Sequence, residues 1–207
     1  MPTATPARRG RPATATREDV LGAARGQFLA GRRVDVTIIA RDLGLGRATI
    51  YRWFGSRERL LADVVAAELE SLVAHARREV DARGAAGLLE VFDRVNRRIA
   101  DSPALRRFLE QERASALRLL TASDGGVQSR SVACVAELIA AEAAAGEYDP
   151  PADPDTLAYA VVRLAEAFLY NDAAIGIRGD HVRLREVEAA LLGVPPAPAG
   201  RNERPAG

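Results

Sequence analysis

The amino-acid sequence predicts an all-α fold. Apolar residues recur at intervals of three and four along almost the whole chain, which is the spacing of one face of an α-helix. Glycine, proline and aspartate separate these segments, and no segment has the alternating pattern of a convincing β-strand. With 207 residues, of which 48% are hydrophobic and 28% charged, the chain suits one large domain or a small domain joined to a larger one.

Three short helices are predicted near the N-terminus, each with a start or stop signal. They span residues 16–29, 37–43 and 47–53. Thr16 followed by Asp19 has the spacing of a capping box, and Thr37 is expected to cap the second helix. Gly44 ends that helix, because a tight turn there needs the left-handed backbone that glycine tolerates. Gly46 is a second-rank cap for the third helix.

The remainder of the chain is also predicted to be helical. A long fourth helix runs from Arg57 to about Arg83. Further helices are expected at about residues 87–101, 103–122, 127–145, 154–175 and 181–192. The chain is therefore divided into a disordered basic arm (1–15), a small helical domain (16–60), a larger helical domain (61–194) and a disordered tail (195–207).

The charge is distributed unevenly between the two predicted domains. Residues 1–60 contain twelve arginines and five acidic residues, a net charge of +7, whereas the rest of the chain carries −6. A basic segment joined to an acidic body favours a nucleic-acid-binding module attached to a part that does not bind nucleic acid. Chance clustering of arginine is the alternative, which becomes less attractive if the segment also has a DNA-binding shape.

The residue types exclude several kinds of chemistry. Every basic residue is an arginine, so a Walker lysine, a Schiff-base lysine and a pyridoxal site are ruled out. Cys134 is the single cysteine, and His75 and His181 are the only histidines, which leaves no cluster of nitrogen and sulfur ligands for zinc or iron. We therefore expect neither a metal nor a cofactor.

The sequence also bears on cellular location. No stretch approaches the roughly 18 uninterrupted apolar residues that a membrane span needs, and the N-terminal residues lack the apolar run of a signal peptide. We expect a cytoplasmic protein with no membrane partner.

Two short helices joined by a glycine turn, behind a supporting helix, form the helix-turn-helix arrangement. The stretch VTIIARDLGLGRATIYRWFGSRERLLADVV resembles the DNA-binding signature of TetR-type bacterial transcriptional regulators. The resemblance covers residues 16 to about 65, and beyond it the chain is similar only in length and helix number. Gly46 stands where the family often has serine, and Arg57 stands where lysine is usual.

The third helix has one buried and one exposed face. Ile50 and Phe54 are four residues apart and point towards the first two helices. The face left for DNA carries Arg47, Ala48, Thr49, Tyr51 and Arg52. Arg47 suits a guanine edge, because its fork matches O6 and N7 together.

Two more residues join this DNA-binding set, Arg57 and Thr37. The resemblance implies that Tyr51 and Arg57 clamp the phosphate backbone, and Thr37 lies at the start of the preceding helix. The alternative for Tyr51 is a half-buried aromatic ring that only packs, and packing is preferred for Trp53.

The predicted arm contains Arg8, Arg9 and Arg11 within an Arg-Gly-Arg-Pro run that resembles the core of an AT-hook. Such arms lie in narrow minor grooves. We prefer the interpretation of a solvated basic tail that adds only non-specific affinity.

The last two long helices have apolar faces that suit a dimer interface. The residues singled out are Phe168, Leu184, Val187 and Leu191. The family resemblance implies that these two helices pair with their two-fold mates in a four-helix bundle. The alternative is that the same faces complete the monomer core.

The family resemblance implies a ligand cavity between the helices of the larger domain. Its polar face carries Tyr159, Arg163, Glu166 and Tyr170, which follow one another at helical spacing. Its apolar walls are assigned to Phe92, Val95, Ile99, Phe108, Leu109 and Leu117. A simple ion pair between Arg163 and Glu166, with the apolar residues as ordinary core, is the alternative.

Together with the family resemblance, these features predict a ligand-responsive repressor that binds a palindromic operator as a homodimer and is released by a small apolar or amphipathic effector. Similarity of RATIYRWFGSRERLL to regulators of lactone-signal degradation would imply a lactone or acyl-chain effector. A ligand-independent DNA-binding regulator is one alternative. An enzyme using carboxylates such as Glu110, Glu112 and Glu142 is another, but no nucleophile–base set or phosphate-binding glycine loop supports it.

Overall fold

The computed structural model describes residues 15–122, 126–171 and 179–195, and no strand occurs in these ranges. The helices are α1 (Arg17–Leu29), α2 (Val36–Asp42), α3 (Arg47–Phe54), α4 (Arg57–Glu79), α5 (Gly84–Ala100), α6 (Pro103–Gln111), α7 (Arg113–Thr121), α8 (Val127–Ala144), α9 (Pro154–Glu166) and α10 (His181–Leu191). The all-α prediction is confirmed. Arg8, Arg9 and Arg11, and the predicted tail from residue 196 onwards, lie outside the described residues.

The chain forms a small N-terminal unit and a larger helical unit, which α4 connects. We call α1–α3 the head and α5–α10 the body. The 23-residue helix α4 packs against α1 and α3 of the head and against α5, α7 and α8 of the body. Its buried residues, among them Leu60, Leu61 and Val65, belong to one hydrophobic core that runs through both units. A displacement of body helices can therefore reach the head through packed side chains.

The predicted capping and turn residues of the head are confirmed, with one correction. Thr16 and Asp19 form the capping box: the Asp19 carboxylate accepts from the backbone N–H of Thr16 at 2.7 Å, and the Thr16 hydroxyl accepts from that of Asp19 at 3.2 Å. The cap of α2 is Asp35, not Thr37, because the Asp35 carboxylate accepts from the backbone N–H groups of Thr37 and Ile38. Gly44 has φ +65° in the turn between α2 and α3, as its left-handed role requires.

The body differs from the predicted helix boundaries in three places. The helix expected at 103–122 is divided at Glu112, where φ −130° and ψ 41° leave the helical region. The fourth helix ends at Glu79, because Val80 is extended and turns inward to become buried. The helix expected at 154–175 is α-helical only to Glu166 and continues as a π-helical segment, Ala167–Asn171. Residues 172–178 lie outside the described residues.

A buried carboxylate fixes the turn between α4 and α5 against α8. Glu142 accepts hydrogen bonds from Arg77 at 3.1 Å, from Arg83 at 2.9 Å and from the backbone N–H of Gly84 at 2.8 Å. These donors keep the pKa of Glu142 below its ordinary value, although burial opposes them. The carboxylate considered above for acid–base chemistry is thus held within a structural ion cluster.

No helix in the described ranges is both long enough and sufficiently apolar to cross a lipid bilayer.

Candidate nucleic-acid interface and buried cavity

The third helix presents a polar face to solvent. Ile50 and Phe54 are buried against the rest of the head, whereas Tyr51 is 44% exposed. Arg47, Ala48 and Arg52 are exposed as well, and Thr49 is half-buried. Trp53 is half-buried and packs against the core. This exposed face carries two arginines, which suits a helix that enters a major groove.

A surface cleft of about 410 Å³ lies beside this face. Thr37, Tyr51 and Arg57, which come from three different helices, all line it. Arg32 and Arg33 line it too, and the sequence analysis did not single them out. The sequence signal that could have identified them is that two adjacent arginines stand between the first two predicted helices. The cleft thus holds three guanidinium groups and a phenol against one carboxylate, that of Asp35, and this basic excess suits a phosphate.

Arg57 is held firmly at the edge of this cleft. Its Nε–H donates to the carbonyl oxygen of Val34 at 2.8 Å, and its two terminal nitrogens donate to the two carboxylate oxygens of Glu112 at 2.9 and 2.7 Å. The side chains of Arg57 and Glu112 are only 14% and 16% exposed. Because a guanidinium has five N–H donors, two remain for another acceptor. Glu112 belongs to the body, so this bidentate pair joins the two units.

Helix α6 makes two further contacts with the head. The Phe108 ring meets Phe28 edge to face, with centroids 6.1 Å apart and an interplanar angle of 81°. Arg107 donates to the carbonyl oxygen of Ala30 at 3.3 Å. Helix α6, together with Glu112 at its C-terminal end, therefore contacts both the end of α1 and the start of α4.

A cavity of about 80 Å³ lies between α4 and the helices of the body. The residues that line it come from α4, α5, α7, α8, α9, the π-helical segment and α10, and they are Leu69, Glu70, Val73, Phe92, Val95, Asn96, Ile99, Leu120, Val127, Ser131, Cys134, Val135, Val161, Val162, Ala165, Glu166, Leu169, Tyr170 and Glu188. Most of them are apolar. The volume is far below the roughly 300 Å³ of a typical small-molecule site, so a ligand of ordinary size has to widen it.

The cavity contains only part of the set expected from the sequence. The expected residues that line it are Phe92, Val95, Ile99, Glu166 and Tyr170. Tyr159 and Arg163 face outward on α9. Phe108 packs on Phe28, Leu109 lines a different surface cleft, and Leu117 is half-buried outside the cavity. The spacing argument failed for Tyr159 because the inward stripe of α9 runs through Leu157, Val161 and Val162.

Glu166 is a buried carboxylate with one oxygen unsatisfied. Its Oε2 accepts from Arg163 at 2.7 Å and from Gln128 at 3.5 Å. Its Oε1 is shielded from solvent and has no hydrogen-bond partner among the described residues. Burial raises the pKa of Glu166, and Arg163 opposes that shift. Burial also raises the pKa of Tyr170, with a further contribution from Glu166.

A second polar group in the cavity wall was missed by the sequence analysis. Glu188 of α10 is fully buried, and the side-chain amide of Asn96 donates to its two oxygens at 3.0 and 3.2 Å. Burial raises the pKa of Glu188 to about 7; Asp93 adds to the shift, whereas Asn96 and Arg185 oppose it. One signal was available, since Glu188 follows Leu184 by one helical turn on the same buried stripe.

The cavity shares a wall with an open groove. Leu69, Ile99, Leu120 and Tyr170 line the cavity on one side and, on the other, a groove of about 400 Å³. The groove continues to Phe28 and Leu29 at the end of α1 and to the first residues of α6. Anything that widens the cavity through this wall therefore pushes towards the contact between body and head.

The residues predicted to form a dimer interface are not equally accessible. Leu184 is fully buried inside the chain's own core, so it is unavailable to a second subunit. Phe168 and Leu191 are half-buried. Val187 is 41% exposed, and Val182 on the same helix is 59% exposed although the sequence analysis did not select it.

Comparisons with known proteins agree with this architecture. Residues 83–193 match the family described as the tetracyclin repressor-like C-terminal domain. The structure of the transcriptional repressor QsdR of the TetR family from R. erythropolis is 30% identical, covers 87% of this chain and 96% of its own, and superposes with a TM-score of 0.80. The TetR family repressor AlkX from Dietzia sp., implicated in n-alkane biodegradation, is 22% identical, with coverages of 86% and 96% and a TM-score of 0.61. No curated protein matches the sequence.

Proposed function

The chain belongs to the TetR family of transcriptional repressors, and on that premise we propose that it binds a palindromic operator as a homodimer and releases it when a small apolar or amphipathic molecule enters the body cavity. The observation that carries the proposal is the shared wall between cavity and groove. It gives an occupied cavity a direct mechanical route to the head.

In this proposal the exposed face of α3 reads the operator. Arg47, at the N-terminal end of the helix, contacts a guanine, while Ala48, Thr49 and Arg52 contact the remaining base edges and groove walls. Tyr51, Arg57 and Thr37 position the head on the phosphates from the adjoining cleft. Arg8, Arg9 and Arg11 of the arm, which lie outside the described residues, are proposed to add affinity for DNA.

The dimer is proposed to form through the outward faces of α9 and α10. One reading helix recognises too few base pairs for useful specificity, so a second half-site is needed. Val182 and Val187 are large apolar side chains exposed on α10, and Tyr159 is 53% exposed on α9. Phe168 and Leu191, which are half-buried and pack against the core, are the further apolar residues proposed for this interface.

Release follows from the small size of the cavity. An effector that exceeds it displaces the wall of Leu69, Ile99, Leu120 and Tyr170 into the groove and moves α6. Because α6 holds Phe28, Ala30 and Arg57, the head tilts with it. Two heads must dock about 34 Å apart on successive turns of the groove, so a small tilt prevents simultaneous docking.

Selection of bound duplexes from a random pool, followed by a screen of metabolites for release, tests this function. The expected result is one palindromic sequence bound with a steep salt dependence, together with a compound class that abolishes binding. Binding that no compound weakens would favour the ligand-independent regulator instead. Absence of sequence-specific binding would contradict the repressor itself.

A further inference from the structure

The charged groups in the cavity wall are all acidic. Among the described residues that line it, Glu70, Glu166 and Glu188 carry carboxyl groups, and neither arginine nor histidine is present. Buried carboxylates need donors, since an unpaired buried charge is strongly unfavourable. The hydrogen bonds that each carboxylate already accepts therefore decide which ligand groups can bind to it.

Two of the three carboxylates already have partners for both oxygens. Glu70 is held by Arg130, whose two nitrogens donate to its two oxygens at 2.7 Å each. Glu188 receives the amide of Asn96 on both oxygens. Glu166 differs, because Arg163 and Gln128 both bind Oε2 and leave Oε1 without a donor. Burial raises the pKa of Glu166, whereas the 2.7 Å bond from Arg163 opposes that shift and favours the carboxylate form.

The unsatisfied oxygen defines the chemistry of the ligand. Extending the proposed function on which it rests, we infer that the effector is an apolar molecule with a hydroxyl or N–H group that donates to Oε1 of Glu166. The apolar walls bury its body, and the donor removes the penalty of the unpaired oxygen. A ligand that carries a carboxylate is repelled by the acidic groups of the wall and finds no basic side chain there. A ketone, or a lactone without an O–H or N–H group, offers Oε1 only another acceptor.

Isosteric probes test this inference on the full-length protein without DNA. Cyclohexanol and cyclohexanone differ by one donor, and cyclohexanecarboxylate adds a negative charge to the same ring. Ligand-observed NMR is expected to show that the alcohol binds about tenfold tighter than the ketone, because a hydrogen bond to an ionised group carries an energy of that size. The carboxylate is expected to bind more weakly than either.

Glu166→Gln assigns the preference to this residue. Arg163 retains the amide oxygen as its acceptor, so the side-chain NH₂ replaces Oε1 and the ketone becomes the preferred probe. Glu70→Gln is the matched control, because Arg130 already occupies both of its oxygens, and it should leave the preference for the alcohol unchanged. Thermal unfolding checks that both variants fold.

Equal binding of the alcohol and the ketone to the wild-type protein would overturn the inference, even if Glu166→Gln does not fold. A preference for the alcohol that persists in folded Glu166→Gln would overturn it as well. These outcomes do not depend on DNA. An alcohol that binds as inferred but whose larger homologues leave operator binding unchanged would instead contradict the proposed function alone.

Discussion

The head and the body place their charged groups in opposite ways. On α3 of the head, Arg47 and Arg52 are exposed, and apolar Ile50 and Phe54 face inward. In the body, Glu166 and Glu188 are buried among apolar side chains and depend on a few internal donors. The exposed face of a single helix such as α3 can be predicted from the spacing of residues along that one segment. A cavity is made by helices far apart in sequence, so its polar groups emerge only from tertiary packing.

The largest expected effect concerns the outward face of α10, which neither the head nor the cavity uses. Val182→Glu combined with Val187→Glu places two charges in the proposed dimer interface without disturbing the monomer core, because both side chains are exposed. We expect monomers in light scattering and an operator affinity about a thousandfold lower, since one half-site is lost.

The matched control places the same charges on another helix. Ala133→Glu with Ala140→Glu alters the exposed face of α8 and should leave both mass and operator affinity unchanged. A double valine variant that remains dimeric would place the interface elsewhere.

The next effect tests the burial of charge in the body. Glu188 has a pKa near 7 in the folded protein, against an ordinary value of 4.5, so the folded state retains a proton that the unfolded state has lost between these values. Its contribution to the free energy of unfolding is fully present below about pH 4.5 and falls as the pH rises to about 7. The loss expected from the shift is about 3 kcal/mol.

Urea unfolding of wild-type protein and Glu188→Gln across this pH range measures the effect. Between about pH 4.5 and pH 7, the free energy of unfolding should fall by about 3 kcal/mol less in Glu188→Gln than in the wild type. Glu186→Gln on the exposed side of the same helix should follow the wild type. Parallel curves for wild type and Glu188→Gln would show that this carboxyl group titrates normally.

A smaller effect separates base contacts from phosphate contacts in the head. Arg47→Ala should reduce operator affinity by about 1 to 3 kcal/mol and relax the preference at one base pair per half-site. Tyr51→Phe should weaken all sequences alike, because a phosphate contact carries no base information. Binding to a set of single-base operator variants distinguishes them. An equal loss on every sequence for Arg47→Ala would remove its assignment to a base.

The smallest effect concerns the contact between the two units. Glu112→Gln weakens the bidentate pair with Arg57 and loosens α6 from the head. The change in operator affinity caused by a releasing compound should shrink about threefold, a fraction of a typical coupling energy. Glu110→Gln, exposed on the same helix, is the control. An unchanged response in both variants would exclude this pair from the coupling.

Local signals in the sequence were sufficient for the helical character of the chain and for the direction of the α3 side chains, but not for every helix boundary. The capping box at Thr16 and the turn at Gly44 depend on residues only a few positions apart, and both were predicted correctly. The ion pair of Arg163 and Glu166 was also foreseen as an i, i+3 pair.

Long-range pairings were beyond the sequence. Arg57 and Glu112 are separated by 55 positions, and Asn96 and Glu188 by 92. No periodicity links such residues, so neither these two pairings nor the division of the helix at Glu112 could be deduced. Leu184 illustrates the converse limit, because an apolar stripe does not say whether it faces the chain's own core or a second subunit.

The central claim is that the cavity of the body and the DNA-binding face of the head are energetically coupled. Calorimetric titration of a releasing compound into the free dimer and into dimer saturated with operator tests it most directly. Because coupling is reciprocal, the compound should bind the operator complex more weakly, by the same factor, about 5- to 150-fold, by which it weakens operator binding. Equal affinities for the free and operator-bound dimer would contradict the account.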